Sequence, residues 1–289
     1  MYKLIAIDLD GTLLNSYGEI SKKNREAIKY ALNKGIEIVL ASGRDPQTMK
    51  NISLELGIKN YLISGNGSNI YDIKNDINIY ENFMEKGKAL KIMKICKDNS
   101  IFFNIYTDKG IITETIEYNV KVFNNENNNK PNFKRTNIEI VKDIYKTIEE
   151  NDFKILKIII CDENKIIFNN IIEKMKDLKK VEVLEVEHMS KKIIKIGTEE
   201  YKIEYYYTEI TNENANKWEA IKYLSKKLNI DKSEIICIGD NMNDYEMIKN
   251  AGLGIAMKNS ALEKKNVADK LTESNDEDGV GNAIFRAIL

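Results

Sequence analysis

The chain reads as an α/β protein, a doubly wound parallel sheet (Rossmann-like) with an inserted α+β domain. Three observations carry that reading. Leu4-Ile5-Ala6-Ile7 is a continuous apolar run, as expected of a strand buried on both faces of a parallel sheet. Short apolar runs alternate with amphipathic helical patterns over residues 4–64 and again from residue 217 onward. Between about Phe83 and Thr208 this rhythm gives way to a different order of helices and strands. The expected division is therefore 1–82 with 209–289 as the sheet domain, and 83–208 as the insert.

The first strand ends in Asp8-Leu9-Asp10-Gly11-Thr12. Packing does not account for two carboxylates at the C-terminal end of a buried strand, which in open α/β sheets is where ligands bind. Alternation would put Asp8 and Asp10 on one side of a continuing strand. Gly11 marks a stop there, so Asp10 is expected to turn round the rim, and Asp-Gly is also a common turn dipeptide. After a polar connection at 15–20, Ser21 caps a helix with Ala27, Ile28, Ala31 and Leu32 on one face and Gly35 as its stop. A strand at 36–41 then delivers Ser42-Gly43-Arg44 to the same rim. Pro46 opens the next helix, Gly57 ends it, and the strand Tyr61–Ser64 leads into the turn Gly65-Asn66-Gly67.

In the insert, helices are expected at Lys86–Asp98 and 164–177, the second carrying Ile167, Ile171, Ile172 and Met175. Strands are expected at Phe102–Thr107, 155–161, 181–186, 192–196 and 203–210. The Asn-rich stretch 124–132 reads as an exposed connection. His188, the sole histidine, reads as a surface or hydrogen-bonded residue, and Tyr205-Tyr206-Tyr207 as half-buried strand residues.

The sheet pattern resumes at Asn216-Lys217, where Trp218, Ile221, Leu224 and Leu228 line a helix. A buried strand at 234–238 ends in Gly239-Asp240-Asn241-Met242-Asn243-Asp244. A helix through Met247 and Ile248 stops at Gly252, a strand follows at 253–256, and the chain closes with a short strand near Leu271 and a helix bearing Val280, Ile284 and Ile288.

Composition narrows the function classes. With 44 basic and 45 acidic residues, the 289-residue chain has a formal net charge of −1, which offers no electrostatic case for nucleic acid or a membrane surface as partner. No run approaches the roughly 18 apolar residues of a membrane span. Asp8 and Asp10 interrupt the apolar run at the N-terminus, so no signal-peptide pattern is present there. Cys96, Cys161 and Cys237 stand far apart among apolar neighbours, as buried thiols of a reducing, cytoplasmic compartment. Nothing in the pattern speaks to oligomeric state, and a monomer is compatible with it.

Four pieces thus converge on one rim: Asp8 with Asp10, Ser42 with Gly43, Lys217 at a helix start, and Asp240, Asn243 and Asp244. Four clustered carboxylates repel one another in a partly buried site, and a divalent cation removes that cost. Magnesium suits such an all-oxygen set. A hydroxyl, glycine-turn N–H groups, an amide and an ammonium are groups that hold phosphoryl oxygens. Together they describe phosphoryl transfer.

DLDGTLL, the strand-end SGR, the helix-start lysine and GDNMND, in that order, resemble the motifs of the haloacid dehalogenase superfamily. GIAMKNS at 254–260 and NDEDGV at 275–280 resemble its Cof-type sugar and cofactor phosphatases. Trp218 stands where glycine is usual and Ser42 where threonine is common. The resemblance spans the chain, with the insert matching by position and rough pattern only. It implies that Asp8 is the nucleophile that becomes an aspartyl phosphate, and that Asp10 is the general acid and base. It further implies that Asp8, the Asp10 carbonyl and Asp240 hold Mg2+, with Asp244 in support directly or through water. Ser42, Gly43, Asn243 and Lys217 would cradle the phosphoryl group of a small phosphorylated metabolite, and Arg44 would reach substrate or pair with a carboxylate. The insert would be the cap that reads the rest of the substrate. A phosphomutase, or a sensor that binds without turnover, are the alternatives. The intact Asp8/Asp10 pair speaks against the sensor.

Overall fold

The computed structural model describes residues 1–128, 135–184, 189–196 and 199–289. In chain order it opens with β1 (Leu4–Ile7), α1 (Lys22–Asn33), β2 (Glu37–Ala41), α2 (Pro46–Glu55) and β3 (Tyr61–Ser64). Ser21 caps α1 by accepting the Asn24 N–H, and Asp45 caps α2 by accepting the Thr48 N–H, with Pro46 as the first helical residue. An antiparallel hairpin, β4 (Asn69–Asp72) and β5 (Ile77–Glu81), follows β3.

The chain then forms a second compact unit, Asn82–Ala215, separate from the unit made by Met1–Glu81 and Asn216–Leu289. Its elements are α3 (Lys86–Asp98), β6 (Phe102–Thr107), β7 (Gly110–Thr113), α4 (Tyr118–Asn128), β8 (Ile138–Ile140), α5 (Ile144–Glu150), β9 (Ile155–Asp162), α6 (Lys165–Lys176), β10 (Val181–Val183), β11 (Ser190–Ile196) and β12 (Glu199–Asn212). The sheet runs β10-β12-β9-β6-β7-β8, with β11 hairpinned onto β12. One face packs on α3, α5 and α6 through Ile92, Met93, Ile148, Ile171 and Met175.

One expectation fails here. Residues 124–128 of the Asn-rich stretch are helix, because α4 buries Val120 and sets Phe123 against Tyr106 and Tyr118 against Phe102 and Tyr205. Tertiary packing there overrides the poor helix propensity of asparagine. The rest of that stretch, 129–132, lies outside the described residues, as do His188 and residues 185–186 of an expected strand. The region between Thr107 and Ile155 holds four short elements, β7, α4, β8 and α5. The tyrosine run behaves as a strand should: Tyr205 and Tyr207 share a face, while Tyr206 faces Phe168 of α6.

Returning to the first unit, the chain forms α7 (Lys217–Lys227), β13 (Ile235–Gly239), α8 (Tyr245–Asn250), β14 (Leu253–Met257), α9 (Leu262–Val267), β15 (Lys270–Thr272) and α10 (Gly279–Ile288). The sheet order is β15-β14-β13-β1-β2-β3-β4-β5, parallel from β15 to β3. Strand alternation sorts the core into two layers. Ile5, Ile7, Ile38, Leu40, Ile236 and Ile238 face α1 and α10, while Leu4, Ala6, Val39, Ala41, Ile235 and Cys237 face α7 and α8. All three cysteines are buried free thiols. Among the described residues, no helix is long and apolar enough to cross a membrane.

Candidate active site

Asp8 follows β1 in step with Leu4 and Ala6, so alternation aims it at the layer covered by α7. The Asp8 N–H donates to the Ile238 carbonyl at 3.0 Å, carrying the β1–β13 ladder one residue past the strand. Its side chain is buried and meets Lys217, whose Nζ donates to Asp8 Oδ1 and to Asp244 Oδ1, both at 2.6 Å. Lys217 is the first residue of α7 and wholly buried. A cation at a helix N-terminus opposes the helix dipole. The two carboxylates are what hold it there, and an ammonium with three N–H groups keeps one for a further acceptor.

Asp240 comes one residue after β13, and Asp244 ends the 3-10 turn Met242–Asp244 that leads into α8. Asp244 is fully buried, and its Oδ2 accepts the backbone N–H groups of Asp240 and Asn241, both at 3.0 Å. Asp240 Oδ1 accepts the Thr12 hydroxyl at 2.8 Å. Oxygens of Asp8, Asp240 and Asp244 lie within 4.8 Å of one another. Burial, reinforced by the Asp244 charge, holds the Asp8 carboxyl well above its ordinary range, and the same two causes push Asp240 up to about 6. Burial pulls the Lys217 ammonium down, but Asp244 and Asp8 more than offset it and its pKa rises. Crowded oxygens with raised pKa values fit a hard divalent cation, which relieves both desolvation and mutual repulsion.

Asp10 goes elsewhere. Gly11 takes φ +83°, a conformation costly for other residues, and a Cβ there would stand 2.5 Å from Asp240 Oδ2. The chain turns at this point, Leu9 drops into the core, and the Asp10 carboxylate accepts a bidentate pair from Arg44, at 2.9 Å from Nε and 2.5 Å from Nη2. The fourth expected carboxylate is thus held apart from the other three side chains. Its predicted turn round the rim is what the structure shows.

Ser42 follows β2, is buried, and its hydroxyl accepts the Arg44 N–H at 3.3 Å. The Ser42 N–H extends the ladder to the Ile63 carbonyl, while the Gly65 and Asn66 N–H groups donate back to the carbonyls of Arg44 and Ser42 at 3.0 Å. This stitches the Ser42-Gly43-Arg44 loop to the turn after β3. Asn243 donates Nδ2 to Asn66 Oδ1 at 2.9 Å, and its own buried Oδ1 has no partner among the described residues. The structure therefore gathers Asp8, Lys217, Asp240 and Asp244 tightly, with Asp10 and Arg44 as a second, more exposed group.

Three residues of this rim escaped the sequence reading. Thr12 sits inside the quoted DGT motif, Asn66 inside the glycine turn, and Asn259, whose Nδ2 donates to the Gly11 carbonyl at 2.8 Å, inside GIAMKNS. Each was visible as part of a motif, yet its partner lies far along the chain.

Comparison with known proteins accords with this geometry. A family model described as haloacid dehalogenase-like hydrolase matches residues 5–284. Phosphatase YwpJ of Bacillus subtilis is 30% identical, over 97% of this chain and 98% of its own. A second B. subtilis protein, 5-amino-6-(5-phospho-D-ribitylamino)uracil phosphatase YcsE, is 29% identical over 99% of this chain and 96% of its own. Among solved structures, a haloacid dehalogenase-like hydrolase from Bacteroides thetaiotaomicron superposes with a TM-score of 0.81 at 27% identity, each chain covered in full. With a family model running almost end to end and named phosphatases aligned along its whole length, the chain belongs to the haloacid dehalogenase-like hydrolase family and is an enzyme of its phosphatase kind.

Proposed function

We propose that the protein is a magnesium-dependent phosphatase of small phosphorylated metabolites, sugar phosphates or phosphorylated cofactors, acting through an aspartyl phosphate on Asp8. The observation that carries this reading is the buried Asp8 carboxylate clamped by Lys217 beside Asp240 and Asp244 at the C-terminal rim of a parallel sheet. Asp8, the Asp10 carbonyl and Asp240 would hold the cation, with Asp244 in support, and the bound cation would supply charge neutralisation for carboxylates and phosphate together. Lys217 keeps Asp8 oriented and favours its ionised form. An Asp8 oxygen bonds to phosphorus as the ester P–O bond breaks, and the leaving alkoxide takes a proton from Asp10. Asp10 then accepts a proton from the water that attacks the aspartyl phosphate, releasing inorganic phosphate and restoring Asp8. For this, Asp10 exchanges its Arg44 partner for the leaving oxygen, and the freed guanidinium can bind the substrate. Ser42, the Gly43 N–H, Asn243 and the third N–H of Lys217 hold the phosphoryl oxygens.

The unit Asn82–Ala215 supplies substrate choice in this reading, as the family resemblance implies. The name of YcsE, which specifies a phosphorylated ribitylamino-pyrimidine, supports the class of small phosphorylated metabolites. Near-neutral charge supports a reading without nucleic acid, and buried free thiols support a cytoplasmic enzyme. The test is release of p-nitrophenolate from p-nitrophenyl phosphate. EDTA should abolish it and magnesium restore it, with calcium restoring it poorly because of its larger, looser coordination. Full turnover by the metal-stripped protein overturns the reading.

A further inference from the structure

The turn Gly65–Gly67 touches three parts of the rim at once. Its N–H groups bind the Ser42-Gly43-Arg44 loop, as described. At Gly67, φ is +98° and a Cβ would lie 2.1 Å from the Asn216 carbonyl oxygen, so the turn is packed directly against the entry to α7 and Lys217. Its middle residue, Asn66, is buried with φ 56° and ψ 31°, left-handed like the glycines on either side at φ 57° and 98°. Glycine would satisfy that backbone at no steric cost, and among other residues asparagine is one of the few that tolerates it. The backbone alone therefore does not call for a side chain at this position, and the Oδ1 of the side chain present accepts Nδ2 of Asn243. Among the described residues, no other group bonds the Asn243 side-chain amide.

We propose that Asn66 is a positioning residue that orients the Asn243 amide, so that the second Nδ2 hydrogen is aimed at the phosphoryl group; this rests on the reading of Asn243 as a phosphoryl-binding amide. The side chain at this left-handed position thus reaches a residue 177 positions away.

The test is a double-mutant cycle in the full-length protein with magnesium and p-nitrophenyl phosphate, with inhibition by inorganic phosphate as a readout without turnover. Asn66→Gly preserves the left-handed backbone and removes only the side chain. In the otherwise natural chain it should lower kcat/KM and raise the phosphate Ki by about 10-fold, as expected for coupled neighbours. In an Asn243→Ala background it should change either by less than about 2-fold, because the amide it orients is gone. If Asn66→Gly costs the same factor in both backgrounds, the positioning role is overturned while Asn243 keeps its place in the site. If Asn243→Ala alone leaves both readouts unchanged, the reading of Asn243 falls and this proposal with it. Failure of Asn66→Gly to fold also overturns it, since the side chain would then serve the fold.

Discussion

Asp8 and Asp10 stand two positions apart, yet one is sealed beside Lys217, Asp240 and Asp244 while the other lies on the rim in the grip of Arg44. Asp8 is 4% exposed, whereas the Asp10 side chain is 56% exposed. The energetic stakes differ accordingly. Breaking a buried ion pair by removing one partner costs about 3–5 kcal/mol. A pair with one partner in solvent, such as Asp10–Arg44, lies nearer the ~0–1 kcal/mol of surface pairs, its bidentate geometry placing it at the upper end. The first arrangement suits a group that must hold one position through two chemical steps. The second suits a group that must trade partners and protons within a catalytic cycle.

The sharpest way to break this comparison is Asp8→Asn, which keeps the shape and removes the attacking charge. Turnover should fall by more than about 10⁴-fold, as on loss of a nucleophile, with the fold retained by circular dichroism. Near-natural phosphate release would end the assignment of Asp8.

Asp10→Asn should separate substrates by leaving group. A sugar alkoxide needs a proton and p-nitrophenolate does not. Formation of the aspartyl phosphate should therefore slow about 10²–10⁴-fold with a sugar phosphate and far less with p-nitrophenyl phosphate. Because the second step still lacks its base, a burst of p-nitrophenolate should precede slow turnover. Equal losses without a burst would make Asp10 a metal-site residue only.

Lys217→Met leaves Asp8 and Asp244 buried without their cation. Unfolding in urea without magnesium should show a loss of about 3–5 kcal/mol. Arg44→Gln, in the exposed pair, should cost no more than about 1 kcal/mol in the same assay. Similar losses for the two would erase the contrast drawn here.

The smallest effect concerns pH. Burial and the Asp244 charge push the Asp240 carboxyl up to about 6, from an ordinary value of 3.8. A raised carboxyl binds its proton more tightly when folded, so its stabilising share is complete below the unfolded pKa and is lost as pH rises through about 6. The metal-free protein should thus lose stability through this site between about pH 4 and 7, and magnesium, which binds the ionised carboxylates, should restore it. The rise in Tm on adding magnesium should be small at pH 5 and larger at pH 7.5, by differential scanning calorimetry. A rise independent of pH would show that Asp240 is not a ligand.

Local patterns along the chain determined the parallel strands of the sheet, the Ser21 cap of α1, the opening of α2 at Pro46 and the rim residues Asp8, Ser42 and Lys217. Period-2 burial decides which face a strand residue takes, and that rule alone aims Asp8 at the layer of α7. The second unit was less legible, since α4 runs through asparagines of low helix propensity and gains its helix from aromatic contacts with distant strands. Only the tertiary structure decided which rim groups meet. Lys217 lies 209 positions from Asp8, and Thr12 lies 228 from Asp240. They meet because the sheet places β13 beside β1, an order set by burying both faces of every central strand at once. The parting of Asp10 from the carboxylate cluster was likewise tertiary in its outcome: glycine permits the turn at Gly11, but the Arg44 guanidinium, delivered by the neighbouring strand, is what receives the carboxylate.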